Sequence, residues 1–415
     1  MNFDLISLLI LCATIVAAFL LKINSGVVAI AVSLVLARCA GIADKTLISF
    51  FDNNLFIMLL GVMLLFGIAQ ENGTLELLAK KILALCGGKV KLFPPILFLV
   101  AALIAAIGPG PITVSALMAV ITIALAKETN VPAMRLLPFG ALGSFAGGLS
   151  PITPTGIVGV TQSEAIGLND MGGQILLGLA VANFLYAVIL YFFVFRWHSY
   201  KVAPREVAAT ETGKSQRFNL KQWFTLGGIA AMAALTIFLK INIGLAAFAV
   251  SLILIILRAG DEGVVLKKLS WGTLIMITGV GILISLVTEL GGIDLLSATL
   301  NKFMTEKTAA GIITALAGVM SWVSSASGVV MPTLIPTVPE LGANAPALVI
   351  GICAGAHAAA ISPLSSCGGL MLAAYSSGDI TAKERNKAFG QLFLMSAGGV
   401  AFCAVLGLLG LYNIF

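Results

Sequence analysis

Uninterrupted apolar runs, each bounded by a few polar residues, recur along the chain. They fall at about 5–22, 26–43, 54–70, 133–161 and 170–195, and again at about 223–239, 242–258, 271–288, 345–373 and 389–413. About 20 apolar residues span the hydrocarbon core of a bilayer as a helix, so each run predicts a crossing. A polar segment, 196–222, separates the two sets and carries Arg196, His198, Lys201, Arg205, Lys214, Arg217 and Lys221. Two stretches, 92–126 and 308–340, follow another pattern: an apolar arm, a cluster of Gly, Pro or Ser, and a second apolar arm. Neither tip, Gly108-Pro109-Gly110-Pro111 or Ser324-Ser325-Ala326-Ser327, holds the charge or Tyr expected of a turn among lipid headgroups. Both stretches therefore read as re-entrant hairpins whose tips stop inside the bilayer. That is tolerated only where the tip is buried in protein or lines a wet cavity.

Composition sharpens this picture. Of 415 residues, 59% are hydrophobic and 10% charged, against about 25% charged in soluble domains. A water-soluble globule, a disordered chain and a disulfide scaffold are excluded. Cys12, Cys39, Cys86, Cys353, Cys367 and Cys403 are scattered singly without metal-ligand spacing, and residues 5–21 lack the basic flank and cleavage site of a signal peptide. The net charge of +6 needs no nucleic-acid partner, because basic residues gather on the inner side of a membrane. With the amino terminus outside and both hairpins re-entrant, 19 Lys and Arg fall inside and 5 outside. A multi-pass protein of the plasma (cytoplasmic) membrane is expected.

The two sets also repeat. Gly61-Val62-Met63-Leu64-Leu65 aligns with Gly279-Val280-Gly281-Ile282-Leu283 at an offset of 218, and Ser150-Pro151-Ile152-Thr153-Pro154-Thr155-Gly156 with Ser362-Pro363-Leu364-Ser365-Ser366-Cys367-Gly368 at 212. The expected fold is an all-α polytopic protein of two repeats of five spans, 1–195 and 223–415, joined by the cytoplasmic linker 196–222. Each repeat has a re-entrant hairpin and a broken span (133–161 and 345–373). An odd number of spans inverts the second copy, and inverted repeats with interrupted helices at matching positions point to the binding site of a secondary transporter.

Four interruptions match in this way, the two tips and the breaks at 150–156 and 362–369. Pro removes a backbone donor and Gly permits unwinding. Helix starts at a break offer N–H groups to anions, and helix ends offer carbonyls to small hard cations. The expected anion contacts are Pro111, Thr113, Thr153, Thr155, Ser325, Ser327, His357, Ser365 and Ser366. The expected sodium ligands, partly through carbonyls, are Gly108, Gly110, Ser150, Gly156, Ser324, Ser362 and Gly368. No Asp, Glu, Lys or Arg lies at a tip or break, so an anion there needs a co-bound cation. His357 is the one ionisable group in a broken span. It reads either as a neutral imidazole bonded to a carbonyl or as a group that meets substrate or proton.

The stretch Gly67-Ile68-Ala69-Gln70-Glu71-Asn72-Gly73-Thr74, the hairpin after it and Gly147-Gly148-Leu149-Ser150-Pro151-Ile152 resemble the amino-terminal half of MatC-type malonate/dicarboxylate carriers. The whole plan resembles the divalent anion:sodium symporters of the ion transporter superfamily. That resemblance implies sodium-coupled symport of a small organic anion such as a C3/C4 dicarboxylate. It also implies a homodimer whose hairpins and broken spans move as an elevator, with helices near 74–88 and 292–303 as interfacial arms. Family members carry Ser-Asn-Thr at each tip; here Ser324-Ser325-Ala326 keeps only the first Ser and Gly108-Pro109-Gly110 keeps none. No enzyme activity and no cofactor beyond sodium are expected. The alternatives are the membrane subunit of a tripartite, binding-protein-dependent carboxylate transporter, and an intramembrane serine protease using Ser327 and His357.

Overall fold

The computed structural model describes residues 3–21, 23–83, 90–129, 131–196, 217–239, 241–269, 271–376 and 381–415; most of the expected linker, 197–216, lies outside these, as does His198. No strand occurs among the described residues. The first series of helices is α1 (Phe3–Leu21), α2 (Ser25–Cys39), α3 (Asp44–Ser49), α4 (Asn53–Glu71), α5 (Thr74–Leu83), α6 (Phe93–Ile107), α7 (Gly110–Thr129), α8 (Ala133–Gly147), α9 (Pro154–Ala165) and α10 (Met171–Leu190). The second is α11 (Leu220–Leu239), α12 (Ile243–Ile256), α13 (Glu262–Lys268), α14 (Trp271–Glu289), α15 (Gly292–Asn301), α16 (Ala309–Val323), α17 (Met331–Leu334), α18 (Ala345–Ala358), α19 (Ser366–Ser376) and α20 (Ala382–Leu408). Five helical stretches of the described residues are long and apolar enough to cross a membrane, and six shorter apolar helices accompany them. The chain is a multi-pass membrane protein.

Two crossings hold the outer part of the molecule. Asn24 caps α2 by accepting from the Gly26 amide, and its own amide reaches the Gly272 carbonyl at 2.7 Å. Asn242 caps α12 in the same way and reaches the Asn54 side chain at 2.8 Å. The caps seat Gly26 on the backbone of α14 and Gly244 on that of α4, so close that an added Cβ would drive into the carbonyls of Ile275 and Ile57. Without a hydrophobic driving force between helices in lipid, such small-residue contacts carry association through dispersion.

The inner part pairs α6 with α8, and α16 with α18. α8 and α18 are buried almost throughout, Leu136 to Gly147 and Ala347 to His357 included, as expected for helices apolar on nearly every face. The pairs interlock crosswise: α7 packs on α19, and α17 packs on α9.

Sequence and structure part company at two places. The return arm of the second hairpin is not one helix like α7. It is a π-turn segment, Ala326–Val330, then α17, then a 3-10 segment, Ile335–Glu340. Pro332, Pro336 and Pro339 each lack the amide that a regular helix needs there. Two short helices, α3 and α13, fall within stretches the apolar pattern leaves as loops. α13 starts at Asp261, whose carboxylate accepts from the Val264 amide. It brings Val265 and Leu269 against Gly67 of α4, so the Glu71 end of α4 and the Trp271 start of α14 share one face.

Gly244→Val is expected to force α12 off α4 and to cost about 1–3 kcal/mol, the usual penalty of overpacking. Gly227→Ala in α11, where nothing lies within reach of a new Cβ, should leave stability unchanged or slightly raised. Thermal unfolding of the detergent-purified protein checks both.

Candidate functional site

The two breaks close by the same chemistry. In the first, Thr153 is fully buried. Its hydroxyl donates to the carbonyls of Gly148 (2.7 Å) and Ser150 (2.9 Å) and accepts from the Gly156 amide (2.9 Å). In the second, the Ser365 hydroxyl donates to Ala360 (2.5 Å) and Ser362 (2.7 Å) and accepts from the Gly368 amide (3.2 Å). Each hydroxyl thus replaces the helix hydrogen bonds lost at the break and caps the half-helix after it. Gly156 and Gly368 lie so close to the carbonyls of Ser150 and Ser362 that a Cβ has no room. Thr153 and Ser365 therefore shape the loops with hydroxyls that are already committed. The Ser362 hydroxyl likewise accepts from Leu364 at 3.2 Å.

The tips differ from each other. Gly108 has φ of 146° and Gly110 φ of 78°, a region open to Gly and costly for other residues. A Cβ on Gly108 would also enter the ring of Phe66. Pro111 packs on Gly148 and the Pro154 ring lies beside Gly110, which joins the first tip to the first break. In the second tip the Ser324 hydroxyl bonds back to the Met320 carbonyl at 2.7 Å, and Ser325 accepts from the Gly328 amide at 3.1 Å. Gly328 lies against the side chain of Met276 in α14.

A cavity of about 350 Å³ opens along α4 onto the first tip. Of the residues expected to form a site, Gly108 and Thr113 line it, beside Pro109 and Pro154; the others do not. The sequence reading missed Phe66, Gln70, Glu71 and Lys268, which form its other wall. Only tertiary packing of α13 on α4 brings Lys268 to Glu71. A second polar group ties the halves together. Ser115 of α7 shares a 2.5 Å hydrogen bond with Ser144 of α8 and another with Cys367 of α19.

His357 is 3% exposed, with Nδ1 bonded to the Cys353 carbonyl at 2.8 Å and its ring edge-on to Phe145, centroids 6.4 Å apart. The neutral tautomer with its proton on Nδ1 fits that bond. Among the described residues no hydrogen bond joins His357 to Ser327. Nor does any cluster of three His, Cys, Asp or Glu side chains offer a metal site there. Cation ligands at the breaks would be neutral oxygens. The carbonyls of Ser150 and Ser362 each already accept two hydrogen bonds, from the amide and the hydroxyl of Thr153 and of Ser365, which fills both lone pairs of each, so a cation at either would have to displace one of them.

A family model described as "Citrate transporter" matches residues 9–355. It agrees with the carboxylate-carrier resemblance given above and does not single out the malonate/dicarboxylate type. No curated protein matches the chain.

Thr153→Ala removes a cap and leaves two buried carbonyls and an amide without their shared partner, so a loss of about 1–2 kcal/mol is expected. Thr153→Ser, which keeps the oxygen, should recover most of it. The difference between the two melting curves is the measurement.

Proposed function

Because this chain belongs to the citrate transporter family, a family of secondary transporters of citrate-like carboxylates, we propose that it takes up a small di- or tricarboxylate in symport with sodium. The observation that carries this reading is the cavity itself. It ends on Gly108, Thr113 and Pro154, where the first tip meets the first break, and no charged side chain lies at either tip or break. A di- or trianion held by amides, hydroxyls and helix starts in a low dielectric is poorly neutralised. Cations bound among the neutral oxygens of the tips and breaks supply the missing charge and couple uptake to their own gradient.

In this reading the two helix series are inverted repeats. The reciprocal seating of Gly26 on α14 and Gly244 on α4, and the matched bonds of Thr153 and Ser365, support it. The scaffold is α1–α4 with α11–α14, held in the plasma membrane as a homodimer. The hairpins, broken helices and α10 and α20 form the moving part, with α5 and α15 as the arms between them. Thr113 and Ser327 meet the substrate, while Thr153 and Ser365 hold the loops that present it.

Purified protein in liposomes should accumulate labelled malonate, succinate or citrate when sodium is high outside, with no soluble binding protein added. Accumulation that follows only the pH gradient and ignores sodium overturns the coupling. A strict need for a soluble partner favours the tripartite reading instead.

A further inference from the structure

Polar side chains at the first-tip cavity are used differently from those around it. Thr225, Thr236, Thr278 and Thr314 each donate to the carbonyl four residues back, and Asn72 bonds to Thr225, Ala259 and Thr74. These groups serve the fold. Among the described residues, the side chains of Thr113, Gln70, Glu71 and Lys268 have no hydrogen bond or ion pair, and all four line the same cavity. A few polar groups converging on a cavity in this way are what orients a ligand.

Lys268 stands there because α13 is fastened at both ends. Asp261 caps its start, and the Trp271 indole donates to the Leu266 carbonyl near its end at 2.9 Å. Val265 and Leu269 pack on Gly67, one residue after Phe66, which carries Gly108 of the tip. The end of α13 and the tip thus flank the same turn of α4. Asn72 holds the link between α12 and α13 through the Ala259 carbonyl, and the Glu71 carboxylate lies over Gly260, where an added Cβ would come within 3.3 Å of it.

The wall facing the tip therefore offers an ammonium, which only donates, and a carboxylate, which only accepts. Their charges cancel, so this wall gains little for an anion by attraction alone. It selects by pattern. A substrate whose polar groups are all carboxylates suits Lys268 but brings negative charge against Glu71, a repulsive element. A hydroxyl beside a carboxyl group gives Glu71 a donor instead.

We infer that this wall reads a hydroxyl next to a carboxylate, so that the carrier prefers hydroxy di- and tricarboxylates to the same acids without the hydroxyl. Lys268 binds the carboxylate and Glu71 accepts from the hydroxyl. Thr113 and Gln70 donate to carboxylate oxygens that remain. A site built to bond a hydroxyl rejects the analogue lacking it, because its own polar group is left unpaired.

This inference rests on the carrier reading, and its test separates the two. Binding of citrate, tricarballylate, malate and succinate to the purified full-length protein in sodium is measured by titration calorimetry. Citrate should bind at least about tenfold more tightly than tricarballylate, and malate than succinate, as one hydrogen bond to a charged group provides. Glu71→Met should bring each pair within about twofold, because nothing is then left unpaired. Lys268→Met should weaken all four acids by about tenfold and keep the ratio within each pair. Binding without preference within the pairs, or a preference that survives Glu71→Met, overturns the hydroxyl reading and leaves the carrier standing. Unchanged affinities in Lys268→Met overturn the role given to the ammonium. If none of the four acids binds the unaltered protein, the carboxylate carrier reading falls, and this inference with it.

Discussion

A helix cannot be interrupted in the middle of a bilayer unless something local takes over the hydrogen bonds it loses. The chain interrupts its apolar helices four times, and everything else in the structure accommodates those interruptions. At the two breaks a single hydroxyl, Thr153 or Ser365, serves two carbonyls and one amide. At the second tip Ser324 and Ser325 satisfy neighbouring backbone groups. At the first, Gly108 and Gly110 turn the chain in a conformation other residues rarely adopt. The interruptions are then sealed inside protein by α8 and α18, buried nearly from end to end.

That economy leaves the tips and breaks without fixed charge, and the charged residues of the cavity, Glu71 and Lys268, stand on its other wall. A buried carboxylate or ammonium at a tip would need its own partner whether or not ligand is present. A hydroxyl that donates one bond and accepts one can stay satisfied in an empty loop and still accept a further contact. In the proposed function the charge balance of a bound anion falls to mobile cations, which would make binding of the two ions interdependent. The crosswise packing of α7 on α19 and α17 on α9, with Ser115 bonded to both Ser144 and Cys367, makes the four interruptions one body.

The helical architecture was legible because lipid enforces a simple pattern: apolar runs cross, and uncharged Gly, Pro and Ser clusters inside them mark breaks. The similarity of Ser150 to Gly156 and Ser362 to Gly368 was visible as residue types, and their hydrogen bonds follow it closely. Other features were not legible. Whether a hydroxyl faces a ligand or its own loop depends on a rotamer, so Thr153 and Ser365 read as contacts when they are loop staples. The cavity wall escaped because Phe66 looks like any core aromatic and Lys268 like any charge on a short helix. Only the packing of α13 against α4 makes them neighbours. The return arm after Ser327 looked like a helix by hydropathy, whereas its three prolines break it into short segments.

Equilibrium binding of labelled citrate to the purified protein, with sodium exchanged for choline at constant ionic strength, addresses the central point most directly. If the uncharged tips and breaks are neutralised by co-bound cations, citrate should bind at least about tenfold more tightly in sodium, a coupling of about 1.4 kcal/mol. Equal affinity in the two salts would contradict it.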